Sequence, residues 1–174
     1  MKLKNNPAGA AALGGILCAQ AIALSWLEGL IPAVPWMPPG AKPGFSNIVT
    51  MFAAGSLGPG YAFTITFIKA LFAFLTRGAT AGAMSLAGGL VSTLVMLLLL
   101  KKTGSGTGII GVSVVCALSH NMAQLAVSAG MTGTRYTLYY APVLGIAAVI
   151  TGAVTGIILK AVLPALNKQK NYFR

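Results

Sequence analysis

Apolar stretches long enough to enter a membrane follow one another along almost the whole chain. A helix needs about 20 mostly apolar residues to cross the hydrocarbon region of a bilayer. Of the 174 residues, 56% are hydrophobic and 7% are charged, which is too little charge to cover the surface of a soluble domain. The candidate spans are residues 8–27, 45–54, 61–75, 79–100, 109–129 and 139–163. The sequence therefore predicts an all-α integral membrane protein, a single membrane domain over residues 1–174 built as a bundle of six transmembrane helices.

Two of the segments between spans have a distinctive composition. Residues 28–44 contain Trp36 and a series of prolines that cannot continue a helix, namely Pro32, Pro35, Pro38, Pro39 and Pro43. Residues 101–108 are rich in Gly, Ser and Thr and predict a flexible loop. The stretch 45–54 is too short to span alone unless residues 44–57 all contribute, and Pro59 limits its continuation.

The distribution of Lys and Arg predicts the orientation. With six alternating spans, one side collects Lys2, Lys4, Lys101, Lys102, Lys160, Lys168, Lys170 and Arg174, and the other collects Lys42, Arg77 and Arg135. Because cytoplasmic loops carry the excess of positive charge, we expect both termini and the 101–108 loop in the cytoplasm and the 28–44 loop outside the cell. An alternative, a cleaved signal peptide, is disfavoured because the first apolar run continues past Ala19-Gln20-Ala21.

The near absence of acidic residues excludes many kinds of enzyme. Glu28 is the one acidic residue and the sequence has no Asp. Magnesium-dependent transferases, glycosidases and aspartic proteases all need at least two carboxylates, and a Ser-His-Asp triad needs Asp. We therefore expect no catalysis, no metal and no cofactor. The formal charge of +11 is interpreted as a determinant of membrane topology, because Lys and Arg flank the apolar runs. We therefore expect no binding of nucleic acid. Cys18 and Cys116 are interpreted as small buried hydrophobic residues.

The fifth span carries an unusual polar stripe. Helical spacing places Ser113, Cys116, His120 and Gln124 on one face, with Asn121 next to His120. Such groups either form hydrogen bonds between helices or bind a ligand. We favour a ligand site, because His, Asn and Gln within five positions exceed what helix association requires.

Cationic residues predict the nature of that ligand. Lys69 lies midway along the third span and is expected to face a polar cavity, while Lys42 and Arg135 belong to the outer half of the bundle. Since Glu28 is the one carboxylate there, an anionic ligand is expected to satisfy part of this charge. Asn47 would add a polar contact and Tyr139 an aromatic surface. The alternative is that Lys42 and Arg135 are solvated loop charges and the tyrosines form an interfacial belt. Arg77 is interpreted as a surface charge.

Small residues recur at helical spacing in the first and last spans. The ridge of Ala8, Ala12, Gly15, Ala19 and Ala23 is one example, and Gly152 with Gly156 is the other. Small residues allow helices to approach closely. These ridges serve either packing within the chain, which is the default expectation, or contact with a partner protein.

Several short motifs lie in order from residue 40 onwards. Residues 40–51 resemble G-x-K-x-G-x-[AS]-N-I-V-T-L, residues 85–92 resemble S-x-x-G-G-x-x-S, residues 111–113 and 120–125 resemble G-V-S and H-N-x-x-Q-L, and residues 140–142 and 151–152 resemble Y-x-P and T-G. Together these motifs resemble those of the Gx transporter family, also called heptaprenyl diphosphate synthase component I. In hydropathy and size that family is similar to the S components of energy-coupling factor (ECF) transporters.

The resemblance implies a function. S components are six-helix proteins of the cell membrane that capture a small metabolite or vitamin from outside, with the loop after the first helix as a lid and small residues of the first helix as the contact to a transmembrane coupling protein and its ATPases. Here residues 28–44 would be the lid, and Ala8, Ala12, Ala19 and Ala23 the contact. The alternatives are a non-catalytic membrane subunit of a quinone, isoprenoid or flavin-based extracellular electron-transfer assembly, and a self-sufficient secondary transporter.

Overall fold

The regular elements of the chain are helices throughout the part that the structure describes. The computed structural model describes residues 7–30, 42, 44–102, 108–133 and 135–167. Its α-helices are α1 (Pro7–Leu30), α2 (Asn47–Ser56), α3 (Pro59–Arg77), α4 (Ala79–Lys102), α5 (Ile109–Thr132) and α6 (Ala141–Asn167), with a 3₁₀ helix (Arg135–Tyr140) before α6. All of them except α2 are long and apolar enough to cross a membrane. The prediction of an all-α, multi-pass membrane protein is confirmed at this level.

Helix α2 is the exception to the predicted set of six spanning helices. Its 10 residues rise about 15 Å, roughly half the thickness of a bilayer's hydrocarbon region. It ends because Gly58 adopts φ 101° and ψ 177°, a conformation open essentially only to glycine, and Pro59 then begins α3. The chain therefore reverses after a half-length helix, where the sequence predicted a second span.

The long helices pack side by side in the order α1, α3, α4, α5 and α6, and α2 packs against four of them. Helix α5 packs between α4 and α6, α3 packs between α4 and α1, and α2 contacts α1, α3, α4 and α6. A Cβ added to Gly14 of α1 would meet Tyr61 near the start of α3, and one added to Gly29 would meet Arg77 at its end, so α1 and α3 run parallel. Asn47, the first residue of α2, instead bonds to Lys69 midway along α3. Helix α2 thus begins inside the bundle and runs antiparallel to α3.

Two glycines set the closest approach between helices. A Cβ added to Gly152 of α6 would lie 2.6 Å from the Val114 Cα of α5, and one added to Gly156 would lie 2.7 Å from the Ile110 Cα. Backbone atoms cannot give way at such distances, so α5 and α6 approach each other here more closely than any residue with a Cβ would allow. The Gly152/Gly156 ridge therefore serves internal packing, as expected.

The distribution of polarity is the reverse of that in a soluble bundle. The outer face of α3 exposes more than half of Phe67, Leu71, Phe74 and Leu75. The interior instead contains Lys69, His120, Asn121 and Gln124, each no more than 5% exposed. An apolar outside suits lipid, and the polar groups buried at a cost in membrane helices make the interior the candidate functional site.

Candidate functional site

A cavity with an unusual concentration of charge lies where α1 and α3 finish, which we call the Arg77 end. Its lining comes from α1, α3, α4, α5 and the chain leading into α2: Ser25, Glu28, Lys42, Gly44, Ser46, Lys69, Arg77, Ala81, Ser85, His120 and Gln124. We call it the charged cavity. It is nearly closed in this structure, with about 10 Å³ of space, room for roughly one water molecule.

Lys42 reaches this cavity from a non-helical stretch of chain. Its backbone N–H donates to Gln124 Oε1 over 3.2 Å, and its ammonium group donates to the carbonyl oxygen of Ser25. The residue is 8% exposed. Burial, together with the nearby Arg77 guanidinium, lowers the pKa of Lys42 to about 8, against the opposing attraction of Glu28. Lys42 is thus a buried cation with another cation nearby. The alternative from the sequence, that Lys42 is a solvated loop charge, does not hold.

Lys69 is the second buried cation and is tied to the start of α2. Its Nζ donates to Asn47 Oδ1 over 2.8 Å, and the side chain is 5% exposed. Because an ammonium group has three N–H donors, this single bond leaves donor capacity toward the cavity. The structure thus brings together Lys42, Asn47 and Lys69, three of the residues that the sequence analysis proposed for the site.

Glu28 occupies the cavity without pairing with any of the cations. Its Oε1 accepts a hydrogen bond from the Ser46 backbone N–H over 3.0 Å, and its Oε2 accepts one from Ser46 Oγ over 3.3 Å. A carboxylate at the first turn of α2 also interacts favourably with the positive end of the helix dipole. Across the residues that the structure describes, no Lys or Arg nitrogen lies within 4.0 Å of this carboxylate. The positive charge of the cavity therefore stays uncompensated by an ion pair.

His120 and Gln124 form a coupled pair on α5 that also lines the cavity. Gln124 Oε1 accepts from Lys42, so its amide nitrogen faces His120 Nε2 at 2.5 Å and is the donor. His120 Nε2 must then accept, which assigns the neutral tautomer with the proton on Nδ1. The other side of the ring lies against α4, where a Cβ on Gly88 would come within 2.9 Å of Nδ1.

Gly44 brings the chain close to this pair. Its φ of 85° is in the region that favours glycine, and an added Cβ would lie 3.3 Å from His120 Cδ2 and 3.1 Å from Asn47 Nδ2. A larger residue would press against both His120 and Asn47. This close approach accounts for a glycine at the point where the chain enters α2.

The remaining predicted site residues lie elsewhere. Asn121 turns away from the cavity and donates to the Leu144 carbonyl oxygen over 3.1 Å, linking α5 to α6. Tyr139 is 78% exposed and stacks with Tyr136 at a centroid distance of 6.1 Å. The backbone of Arg135 begins the 3₁₀ helix, but its side chain lies outside the described part of the structure, as do most of the predicted lid, residues 28–44, and most of the 101–108 loop.

Arg77 and Glu28 are the contributions that the sequence interpretation missed. Arg77 was interpreted as a surface charge, yet it is half-buried and lines the charged cavity beside Lys42. A signal was present, since Arg77 ends α3 and Glu28 lies near the end of α1, and parallel helices bring such ends together. Glu28 was named as a carboxylate of the outer half, but not as the hydrogen-bond partner of Ser46.

A second cavity lies deeper along α2 and shares Gly44 with the first. It measures about 30 Å³, and hydroxyl groups from several helices line it: Thr50, Ser92, Thr93, Ser113, Thr151 and Thr155. We call it the hydroxyl cavity. Within the described residues, Thr50 Oγ1 is buried and has no hydrogen-bond partner. The two cavities therefore adjoin at Gly44, the point where the chain enters α2.

The small-residue ridge of α1 faces away from both cavities. Ala8, Ala12, Ala19 and Ala23 are all exposed, whereas Gly14, Leu17, Ala21, Ser25 and Glu28 form the buried face. Within the described part of the chain, α1 packs against α2 and α3 only. The default expectation of internal packing therefore does not hold for this ridge.

Comparison with known proteins identifies a family. The family model described as heptaprenyl diphosphate synthase component I matches residues 17–162, which include α2 to α5 and most of α1 and α6. No curated protein and no solved structure matches the chain significantly.

Proposed function

The chain belongs to the heptaprenyl diphosphate synthase component I family, and from its interior we propose that it is the membrane-embedded substrate-binding component of an ECF-type importer. In this proposal the chain captures a small anionic metabolite from outside the cell. The observation that carries it is the charged cavity, where Lys42, Lys69 and Arg77 surround one carboxylate without an ion pair in the described structure. Cations that outnumber the carboxylates of a buried cavity are costly, so an external anion is the natural complement.

The arrangement of α2 supports an entry route from the Arg77 end. A half-length helix beginning inside the bundle leaves a non-helical approach, and such interrupted helices border binding sites in many transporters. Lys42 and Gly44 lie on this approach. Lys42 donates a hydrogen bond to Gln124, and Gly44 lies next to His120. A ligand entering here would meet charged groups first and the hydroxyl cavity next.

The exposed ridge of α1 supports contact with a coupling protein. Ala8, Ala12, Ala19 and Ala23 present a nearly flat strip on which another transmembrane helix can pack closely. The family's description as component I also implies a second subunit. We propose that an ECF transmembrane coupling protein and its ATPases occupy this role and supply the energy, because proton or ion coupling needs titratable groups that the sequence scarcely provides.

The alternative function is that of a non-catalytic membrane subunit in an isoprenoid, quinone or electron-transfer assembly. The family description favours it, since it names a component of a prenyl diphosphate synthase. Catalysis by this sequence is not part of either proposal, because prenyl elongation uses several carboxylates to hold Mg²⁺ and diphosphate and Glu28 is the one acid here.

Reconstitution distinguishes these functions. We expect that the purified chain alone in liposomes does not accumulate the small molecule that it retains. Accumulation should require a coupling protein, ATPases and ATP. Leu substitutions at Ala19 and Ala23 should abolish co-purification with the coupling protein, whereas Leu at Ala126, an exposed position on α5, should not. Accumulation by the chain alone, or association that survives the α1 substitutions, would contradict the proposal.

A further inference from the structure

The charged cavity carries more positive charge than one carboxylate ligand would balance. Lys42, Lys69 and Arg77 contribute three positive charges and Glu28 one negative charge. His120 is neutral, since its Nε2 accepts a hydrogen bond from Gln124. The cavity therefore has a net charge of about two positive units at neutral pH.

The hydrogen-bond donors of these cations point to the same conclusion. Within the described residues, Lys42 Nζ and Lys69 Nζ each have one partner, and the Arg77 guanidinium has none. An ammonium group offers three donors and a guanidinium five. Most of the donor capacity around the cavity is thus available to a ligand rich in acceptor oxygens.

We propose that the charged cavity binds a single compact group with two negative charges, of the phosphate monoester class. A compact group is required because all the cations line one small cavity, which has to widen beyond its present volume of about 10 Å³ to admit the group. A phosphate monoester has three terminal oxygens and carries close to two charges at neutral pH. Arg77 supplies the planar fork that suits phosphate, and the two lysines supply point charges. This inference rests on the proposed binding function and specifies the substrate class of the same site.

Glu28 has a distinct role in this assignment. Its carboxylate is held by Ser46 and lowers the net charge that the ligand meets. A Gln side chain keeps an oxygen that accepts from the Ser46 backbone N–H while removing the negative charge. Glu28→Gln should therefore strengthen binding of the dianion, whereas a residue with a purely structural role would weaken binding when replaced.

The test uses two probes of similar size that differ in charge. The full chain in phosphatidylcholine nanodiscs is titrated calorimetrically with methyl phosphate, a dianion near neutral pH, and with dimethyl phosphate, a monoanion. We expect methyl phosphate to bind at least about tenfold more tightly. Lys69→Met and Arg77→Gln should each weaken its binding about tenfold, and Glu28→Gln should strengthen it about threefold to tenfold. Lys160→Met, which removes an exposed charge on α6, should change it less than twofold.

Opposite outcomes overturn the inference. Equal affinity for the two probes, or unchanged methyl phosphate binding in both Lys69→Met and Arg77→Gln, would do so. Arg77 is half-buried at a helix end, so its variant remains informative if Lys69→Met fails to fold. Weaker binding by a folded Glu28→Gln variant would also overturn the assignment.

A second arm identifies the source of the phosphate group. Nanodiscs doped with phosphatidic acid are analysed by native mass spectrometry with and without methyl phosphate. Retained phosphatidic acid that methyl phosphate displaces supports a lipid-borne monoester, and binding of methyl phosphate without retention of the lipid supports a water-soluble one. Recovery of a neutral or monoanionic ligand would overturn this inference and leave the binding function standing. Failure of the purified chain to bind any small molecule or any coupling protein would instead overturn the proposed function.

Discussion

The carboxylate of Glu28 holds the start of α2 by accepting hydrogen bonds from both the backbone N–H and the hydroxyl of Ser46, at 3.0 and 3.3 Å. The residues are 18 positions apart in sequence and both are buried. One side chain of α1 thus fixes where the half-length helix begins. The position of Asn47 and its bond to Lys69 follow from this attachment.

Replacing Glu28 should therefore destabilise the fold according to which bonds are lost. Glu28→Ala leaves a buried N–H without a partner and should lower the free energy of unfolding by about 1–3 kcal/mol. Glu28→Gln should cost less, since its amide oxygen still accepts from Ser46. Ser46→Ala removes only the longer bond and should cost about 0.5–1.5 kcal/mol. Denaturant titration in detergent measures the order, and equal losses in all three variants would refute it.

Glycines of α6 offer a matched pair for testing the packing on α5. Gly152→Ala places a Cβ 2.6 Å from the Val114 Cα, so the helices must separate, at a cost of about 1–3 kcal/mol or more. Gly145→Ala lies on the same helix and meets nothing within 4 Å. Its thermal midpoint should stay unchanged or rise slightly, because Ala favours helix over Gly. A similar loss of stability in both variants would mean that the α5–α6 contact is not as tight as the structure has it.

Threonines of the hydroxyl cavity should respond differently to replacement by Val. Thr93 Oγ1 lies 3.2 Å from Thr66 Oγ1, whose own hydrogen goes to the Ala62 carbonyl oxygen, so Thr93 is the donor. Thr93→Val should lose about 1 kcal/mol of stability. Thr50 Oγ1 has no partner among the described residues, so Thr50→Val should be neutral or stabilising. Marked destabilisation by Thr50→Val would show that this hydroxyl binds water or ligand.

The lowered pKa of Lys42 predicts how anion binding depends on pH. Lys42 is cationic below about pH 8 and loses its charge as the pH rises through that value. Binding of methyl phosphate, whose second pKa is about 6, should therefore weaken above pH 8 although the probe keeps its charge. Lys42→Arg remains cationic there and should show a shallower decline. Identical pH profiles for the two proteins would exclude Lys42 from the site.

The same shift affects stability with a defined sign. Because the pKa of Lys42 is lower in the folded chain than its ordinary value of 10.5, the folded state favours the neutral amine. The unfolded chain binds more protons between about pH 8 and 10.5, so Lys42 should make stability rise with pH across that window and contribute no slope below it. Thermal midpoints of the wild type and Lys42→Met, measured at pH 7 and pH 10, check this. Between pH 7 and pH 10 the midpoint of the wild type should rise relative to that of the variant.

The orientation proposed from the Lys and Arg distribution has a direct test at the ends of α3. With Cys18 and Cys116 replaced by Ser, single cysteines are introduced at Gly60 and Ala79, both exposed. With both termini in the cytoplasm, a membrane-impermeant maleimide should label position 79 in intact cells and position 60 only after the membrane is opened. The reverse pattern would invert the topology and place the charged cavity on the cytoplasmic side.

The sequence by itself determined the class of the protein and the residue types of its interior. Long apolar runs with little charge require a membrane environment, and backbone groups in lipid must be satisfied within helices, so an all-α architecture followed. The cost of burying Lys69, His120 and Gln124 likewise identified them as interior groups of interest. Such inferences need only composition and the helical period, which are local properties.

Only the tertiary structure decided which of these groups meet. Helical periodicity places His120 and Gln124 on one face and Asn121 beside it, but the packing of α6 turns Asn121 into a link to Leu144. The parallel packing of α1 and α3 makes Arg77, which local sequence treated as a surface charge, a neighbour of Lys42. Tyr139 stays exposed. Helix α2 starts where Glu28 and Ser46 meet, a contact between residues 18 positions apart. Contacts of this kind depend on how whole helices pair, a relationship that no short stretch of sequence contains.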